Sequence, residues 1–557
     1  MDKITICNLL ESFEELSIDQ ADDSFITFSI KGMNFALLLY NKDDRSSCPI
    51  ILLRDNPKFG FPHVMLKEIK SQDLKYFNLP LGSYRFVCLQ ETESVVNSII
   101  PYEEKVIDSI NRLIELLSMT EYEKEKEYHK EFSLYWNQFS VSDITYSVFL
   151  REENNFSPLK VFFSGNKCRL ISQDINLSDI DSLDKKRNRI WIQHVECDSF
   201  YIPIIDCREV LPPHLGYSWT PMTIKNIVSP TQIRHISQET YQLIKTIVPK
   251  RKDLILVFGI PELRGIVFAL KLTCTYNHNQ NLFKKLTEDV QNIEILYTQR
   301  KDYLFLNKQI GNDTNLLNKR ILLIGAGSLG SYVATELVKN GASNIKIYDE
   351  DSLQEENILR WACGYIGIGN KKVHTLYTLL KLLHPEVNVS VVAKNIDKES
   401  LLKELNQNDL IIFTIGSSDE QLNFNRILHE ANCSIPTMFV WLEAGGVYSH
   451  ILYVNYKGNG CYECLFTDDD GSLVNNRSSL FPNENYEDTI IRNGCGGTRA
   501  AYGTAILLRT TSVLLEIIGK ILANKIKQSM LIDISPNNVS ISDTKFPEEE
   551  CDCCGHR

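Results

Sequence analysis

Apolar and polar positions alternate differently in three stretches of this 557-residue chain. In residues 1–140, SFITFSIKGMNFALLLY (24–40) has a period near two on either side of Lys31-Gly32, which predicts two strands around a tight turn. SCPIILLRD (47–55) reads as a third strand, and LPLGSYRFVCLQ (79–90) comes after a loop containing FPHV (61–64). Behind Pro101 the period changes. Val106, Ile107, Ile110, Leu113, Ile114 and Leu117 recur at helical spacing. EYEKEKEYHKEFSLYW (121–136) is a charged helix whose charges read as a solvated face. Residues 141–310 carry short strand-like runs, a turn-rich LPPHLGYSW (211–219) and one strand–helix-like pair with no phosphate-binding turn. This middle region reads as mixed α/β, either a linker or a degenerate copy of the C-terminal stretch.

That third stretch, 311–557, has the plainest pattern. The apolar run ending KRILLIGAGSLG (319–330) precedes a helix closed by Gly341 and a second strand, NIKIYD, ending at Asp349. Gly325, Gly327 and Gly330 make a Gly-x-Gly-x-x-Gly turn inside a βαβ unit. That arrangement sets backbone N–H groups and a helix N-terminus against nucleotide phosphate. The turn alone serves dinucleotide oxidoreductases equally well. Asp351, Asn357, Arg360 and Lys372 add D-x-D-x₅-N-x-x-R and then G-x-x-K-V. This resembles the adenylating domain shared by ThiF, MoeB and the ubiquitin-activating enzymes. The resemblance implies a Rossmann-like α/β domain that binds ATP and Mg²⁺. Asp349 would hold the ribose, Asp351 would lie near the metal, and Arg360 and Lys372 would steady phosphates as pyrophosphate leaves. The family's magnesium-binding Asp falls where this chain has Ile415-Gly416-Ser417. That leaves Asp419, one turn later, or another carboxylate to serve.

Composition narrows the classes. A net charge of −12 argues against a dedicated nucleic-acid surface, and no apolar run reaches the length of a membrane span. Fifteen cysteines without a signal-peptide layout point to a reducing, cytoplasmic setting. Cys461 and Cys464 form a C-x-x-C, and Cys551 and Cys554 repeat it, with Cys553 as a substitute ligand. The two pairs resemble the structural Cys₄ zinc site of ThiF and MoeB. Cys495, flanked by Gly494, Gly496 and Gly497 ahead of a long apolar helix, matches the acceptor cysteine on the crossover loop of activating enzymes. A helix N-terminus behind it and Arg499 nearby would favour its thiolate.

The first stretch resembles a ubiquitin-conjugating domain, an α+β fold in which Cys88, in GSYRFVCLQ ahead of a helix, would be the acceptor. It departs from that family at Phe61-Pro62-His63, where the family has His-Pro-Asn, and it lacks the tryptophan-proline after the cysteine. The order conjugating-like, middle, activating resembles the fused proteins of bacterial CBASS anti-phage operons. That resemblance implies a donor, the C-terminus of a cGAS/DncV-like nucleotidyltransferase, and an acceptor, a lysine on a target protein. It also implies a homodimer through the activating domain. Two alternatives stay open: an adenylyltransferase serving a sulfur-carrier protein, and a non-catalytic nucleotide-binding scaffold.

Overall fold

The computed structural model describes residues 3–39, 48–55, 60–65, 67–69, 77–89, 100–180, 190–194, 197–230, 233–275, 280–311, 314–480, 490–492, 498–500 and 502–555. The chain divides into two compact units, Met1–Ile175 with Ile190–Lys301, and Asn176–Arg189 with Asp302–Arg557.

The first unit opens with a five-stranded antiparallel meander, Leu16–Ala21, Phe25–Ile30, Met33–Leu38, Ile50–Arg54 and Tyr84–Val87, paired in sequence order. Lys31 and Gly32 both take positive φ, as a two-residue hairpin turn of the favoured twist requires. Period-two alternation puts Ile26, Phe28 and Ile30 on one face. There Ile6 and Leu10 of the helix Lys3–Glu11 and Val106, Ile110, Leu113 and Leu117 of the helix Tyr102–Ser118 bury them.

A second, mixed sheet lies in the same unit. It runs Asp198–Pro203, Leu254–Ile260, Ile266–Cys274, Val290–Arg300, Thr145–Phe149, Lys167–Ser172, Ser157–Ser164. Asp198–Pro203 also pairs with Ser157–Ser164, so these strands close on themselves. Among the described strands of this sheet, only Ile192–Gln193 adds outside the ring. Along Leu254–Ile260 every residue is buried, because both faces are covered. Ile255 and Val257 join a core to which every ring strand contributes. Leu254, Leu256 and Phe258 pack instead with Trp136, Ile224, Ile244 and Leu286 from surrounding helices. The middle stretch is therefore a core-bearing sheet rather than a linker. Four of the seven pairings around its ring are antiparallel and three are parallel, whereas the first five strands of the second unit's sheet are all parallel.

The second unit is built on the sheet Asn388–Val392, Asn344–Tyr348, Arg320–Ile324, Leu410–Phe413, Thr437–Leu442, Ser449–Val454, Met530–Ile534, Val539–Ile541. Its first five strands are parallel and the rest antiparallel. The strand order reverses beside Arg320–Ile324, and in such sheets ligands bind at the carboxyl ends of the strands at that point. Among the described residues no helix is long and apolar enough to cross a membrane.

Candidate functional site

At the reversal point, each glycine of the 325–330 turn has a different reason to be there. Gly325 sits at φ +102°, and a Cβ on it would meet the Thr414 backbone at 3.0 Å. A Cβ on Gly330 would lie 2.1 Å from the Gly325 carbonyl oxygen, so the helix Ser328–Lys339 packs onto the turn only without a side chain there. Gly327 faces open space and lines the cleft. One of these glycines is thus a backbone requirement, one a packing requirement, and one an opening for ligand.

The cleft has a volume of about 550 Å³ and is lined by Gly327, Ser328, Asn357, Arg360 and Lys372 together with residues from distant strands. Asp349 accepts hydrogen bonds from the N–H groups of Ala326 (2.7 Å) and Asp351 (2.9 Å), and so fixes the turn. Trp361 donates its indole N–H to the Ala326 carbonyl (2.8 Å) from the other side. Asp351 accepts from Lys372 Nζ at 2.6 Å, which aims that nearly buried ammonium beside the cleft. The Arg360 guanidinium stacks 5.0 Å over Tyr502, and its Nε has no hydrogen-bond partner among the described residues. Two cations, an open glycine and a helix N-terminus lining one cleft suit a polyphosphate. Asp351, through Lys372, is tied to this cleft. Asp419 is exposed on the first turn of the helix Ser418–Glu430 and does not line the cleft. Asp351 does not line the cleft either, but its ion pair with Lys372 joins it to a lining side chain, while the lining residues Ser417 and Ser418 directly precede Asp419. Sequence reasoning missed Gln421, Trp441 and Tyr502, because they reach the cleft from far along the chain.

Cys461, Cys464, Cys551 and Cys554 converge. Their sulfurs lie within 4.8 Å of one another and all four residues are buried. Cys461 Sγ is 3.8 Å from Cys551 Sγ, and Cys464 Sγ is 3.3 Å from Cys554 Sγ. Four sulfurs about 2.3 Å from a tetrahedral zinc would be about 3.8 Å apart, so the thiols fit that metal, which would act by crosslinking the chain. Cys553 stands outside the cluster and accepts from Asn425 Nδ2 at 3.5 Å. Cys495 and its flanking glycines lie outside the described residues. The strands Ile490–Arg492 and Thr498–Ala500, which flank it in sequence, pair antiparallel.

Cys88 is exposed at the end of the strand Tyr84–Val87. Its N–H donates to the His63 carbonyl at 2.8 Å. His63 takes φ +67°, its own N–H donates to the Tyr135 hydroxyl, and its ring bridges Glu127 (3.0 Å) and Glu131 (3.3 Å). Burial disfavours the charged ring, but the hydrogen bonds to Glu131 and Glu127 outweigh it and raise the His63 pKa above its ordinary value. Both ring nitrogens are thereby committed, so the imidazole braces Cys88 through the backbone and is not placed as its base. The charged helix corrects the sequence reading here. Glu127 is buried, with Lys130 at 2.6 Å, instead of lying on a solvated face. The i, i+4 spacing of Glu127 and Glu131 was the available signal.

A mainly parallel sheet with a glycine turn at its reversal point, and two cations lining the same cleft, defines a nucleotide-binding domain suited to handling phosphates. Residues 306–554 match the ThiF family and are a ThiF-family domain. The chain is 27% identical over 169 residues to the ATP-dependent ubiquitin transferase-like protein Cap2 of Pseudomonas aeruginosa, covering 30% of each chain. To the protein of that name from Vibrio cholerae it is 22% identical over 289 residues, 47% of this chain and 49% of the relative. The chain thus spans less than half the length of either relative. Among solved structures, E. coli MccB with MccA-N7isoASN is 17% identical with a TM-score of 0.34, over 45% of this chain and 72% of that one.

Proposed function

We propose that this protein adenylates the carboxyl terminus of a donor protein, carries it as a thioester and transfers it to an amine. The observation that carries the reading is one cleft lined by Gly327, Arg360 and Lys372 together with Ser328 at a helix N-terminus. A donor carboxylate oxygen attacks the α-phosphorus of ATP and pyrophosphate leaves, its growing charge met by Arg360 and Lys372. The Cys495 thiolate attacks the acyl carbon and AMP leaves with the bonding pair. The Cys88 thiolate then displaces Cys495, and a lysine amine, losing a proton, displaces Cys88 to leave an amide. Cys88 is exposed as such a relay needs, and the four-cysteine cluster, with zinc bound, would hold together two distant parts of the C-terminal unit. By its resemblance to the fused CBASS proteins, the donor is the C-terminus of a cGAS/DncV-like nucleotidyltransferase.

The test is donor-dependent ATP–pyrophosphate exchange, followed by non-reducing gels for thioester adducts. Exchange should survive Cys495→Ala while adducts vanish, and Cys88→Ala should load Cys495 and stop. Normal conjugation by Cys88→Ala would instead favour adenylation for a sulfur carrier. ATP binding without exchange would reduce the protein to a scaffold.

A further inference from the structure

Outside the cleft, the second unit contains a buried charged relay that the proposed chemistry does not use. His450 on the strand Ser449–Val454 has no exposed side-chain surface. Its Nδ1 lies 2.8 Å from Asp533 Oδ1, and its Nε2 lies 2.5 Å from Glu443 Oε1. With a carboxylate oxygen at each nitrogen, the ring is placed to donate from both, an arrangement that favours the imidazolium. Burial opposes that charge, and the two carboxylates restore it, so the pKa of His450 is raised while that of Glu443 is lowered. Such a cluster is costly to bury, and removing one partner leaves an uncompensated charge.

The remaining bonds of Glu443 lead out of the relay. Its Oε1 accepts from the Leu480 N–H and its Oε2 from the Ser479 hydroxyl, each at 2.8 Å. Ser479 and Leu480 directly precede the segment that runs to Cys495. The turn Ala444–Gly446 begins at Glu443 and packs beside the strand Thr498–Ala500, which comes after Cys495. Gly446, at φ +65°, lies so close to Tyr502 that a Cβ would meet its Cα at 2.9 Å. Both chain ends of the Cys495 segment therefore rest on the four residues 443–446. The same structure touches the cleft. Trp441 lines it and stacks on His450 with ring centroids 5.0 Å apart, and Tyr502 lines it beneath Arg360.

We infer that Glu443, held by His450 and Asp533, is a positioning residue for thioester formation, setting where the Cys495 segment starts and ends relative to the nucleotide cleft. The inference rests on the proposed role of Cys495. Glu443 does not line the nucleotide cleft, so adenylation should not need it. The acyl transfer should, since misplacing a reacting group by about 1 Å costs up to roughly a hundred-fold.

The experiment compares wild type, Glu443→Gln and Ser479→Ala, using ATP and a DncV-like nucleotidyltransferase as donor. Glu443→Gln should keep pyrophosphate exchange within about two-fold while thioester loading of Cys495 slows by roughly ten-fold or more. Ser479→Ala removes one anchoring bond without unpairing a buried charge. It should show the same split in smaller degree, and it decides the matter if Glu443→Gln does not fold. Hydrogen exchange of the peptide ending at Leu480 should speed up in Glu443→Gln. Variants that load Cys495 at the wild-type rate would overturn the inference, as would exchange and loading falling together. A wild type that exchanges pyrophosphate but forms no reducible adduct would instead overturn the role of Cys495 itself.

Discussion

The four-cysteine cluster and Cys88 put the same atom to opposite uses. Cys461, Cys464, Cys551 and Cys554 are buried with their sulfurs turned on one another, and they knit two distant parts of the chain together. Cys88 is exposed at a strand end, and the groups around it act on its backbone. A thiol among thiols lends itself to a soft metal, while one presented to solvent beside a braced carbonyl lends itself to exchange chemistry. Spacing marks the first kind in a sequence, and only position in the fold marks the second.

The contrast is tested hardest at the cluster. Cys461→Ser should release zinc and cost the C-terminal unit several kcal/mol, because binding energy at a structural site is folding energy. Calorimetry with metal analysis reads this, and chelator-free protein containing no zinc would remove the metal assignment. Next in size come the two candidate magnesium carboxylates, Asp351 and Asp419. Asp351→Ala, which also frees Lys372, should slow pyrophosphate exchange by roughly a hundred-fold. Asp419→Ala should cost nearer ten-fold. A magnesium titration of both variants checks the order, and the larger loss at Asp419 would move the metal to the helix.

A smaller effect belongs to the brace. The raised pKa of His63 means its stabilisation is fully present below the ordinary imidazole value and is lost as pH climbs through the folded one. Glu127 has a lowered pKa, so its share fades as pH falls through the folded carboxylate value. The gap in unfolding temperature between wild type and His63→Gln should thus be widest near pH 6 and narrow toward pH 9. A gap independent of pH would mean the ring acts only by its shape. Smallest of all is Cys88→Ala, which should leave unfolding within about 0.5 kcal/mol of wild type. A large destabilisation would place Cys88 with the structural thiols.

How much of this was readable in advance depends on the range of the interactions. Gly325, Gly327 and Gly330 carry their meaning within six residues, so the turn and its strand–helix context were legible. Two C-x-x-C pairs announced the cluster, although only coordinates show which four sulfurs gather within 4.8 Å of one another. The closed sheet of the middle region was not legible, because its closure depends on Asp198–Pro203 pairing back to Ser157–Ser164. The Glu443–His450–Asp533 relay was equally hidden. Its members are ordinary polar residues, Asp533 comes 83 positions after His450, and no familiar motif unites them.

The cluster also sets a clock on synthesis. Cys551 is translated 90 residues after Cys461. At ribosomal rates of about 5–20 residues per second, the second pair of thiols comes after the first by roughly 5–20 seconds, and later still clears the exit tunnel. During that interval the early pair can hold at most half a site, and the strand Met530–Ile534 that zips against Ser449–Val454 has only just been made. A chain halted short of Cys554 lacks one of the four sulfurs that gather in the cluster.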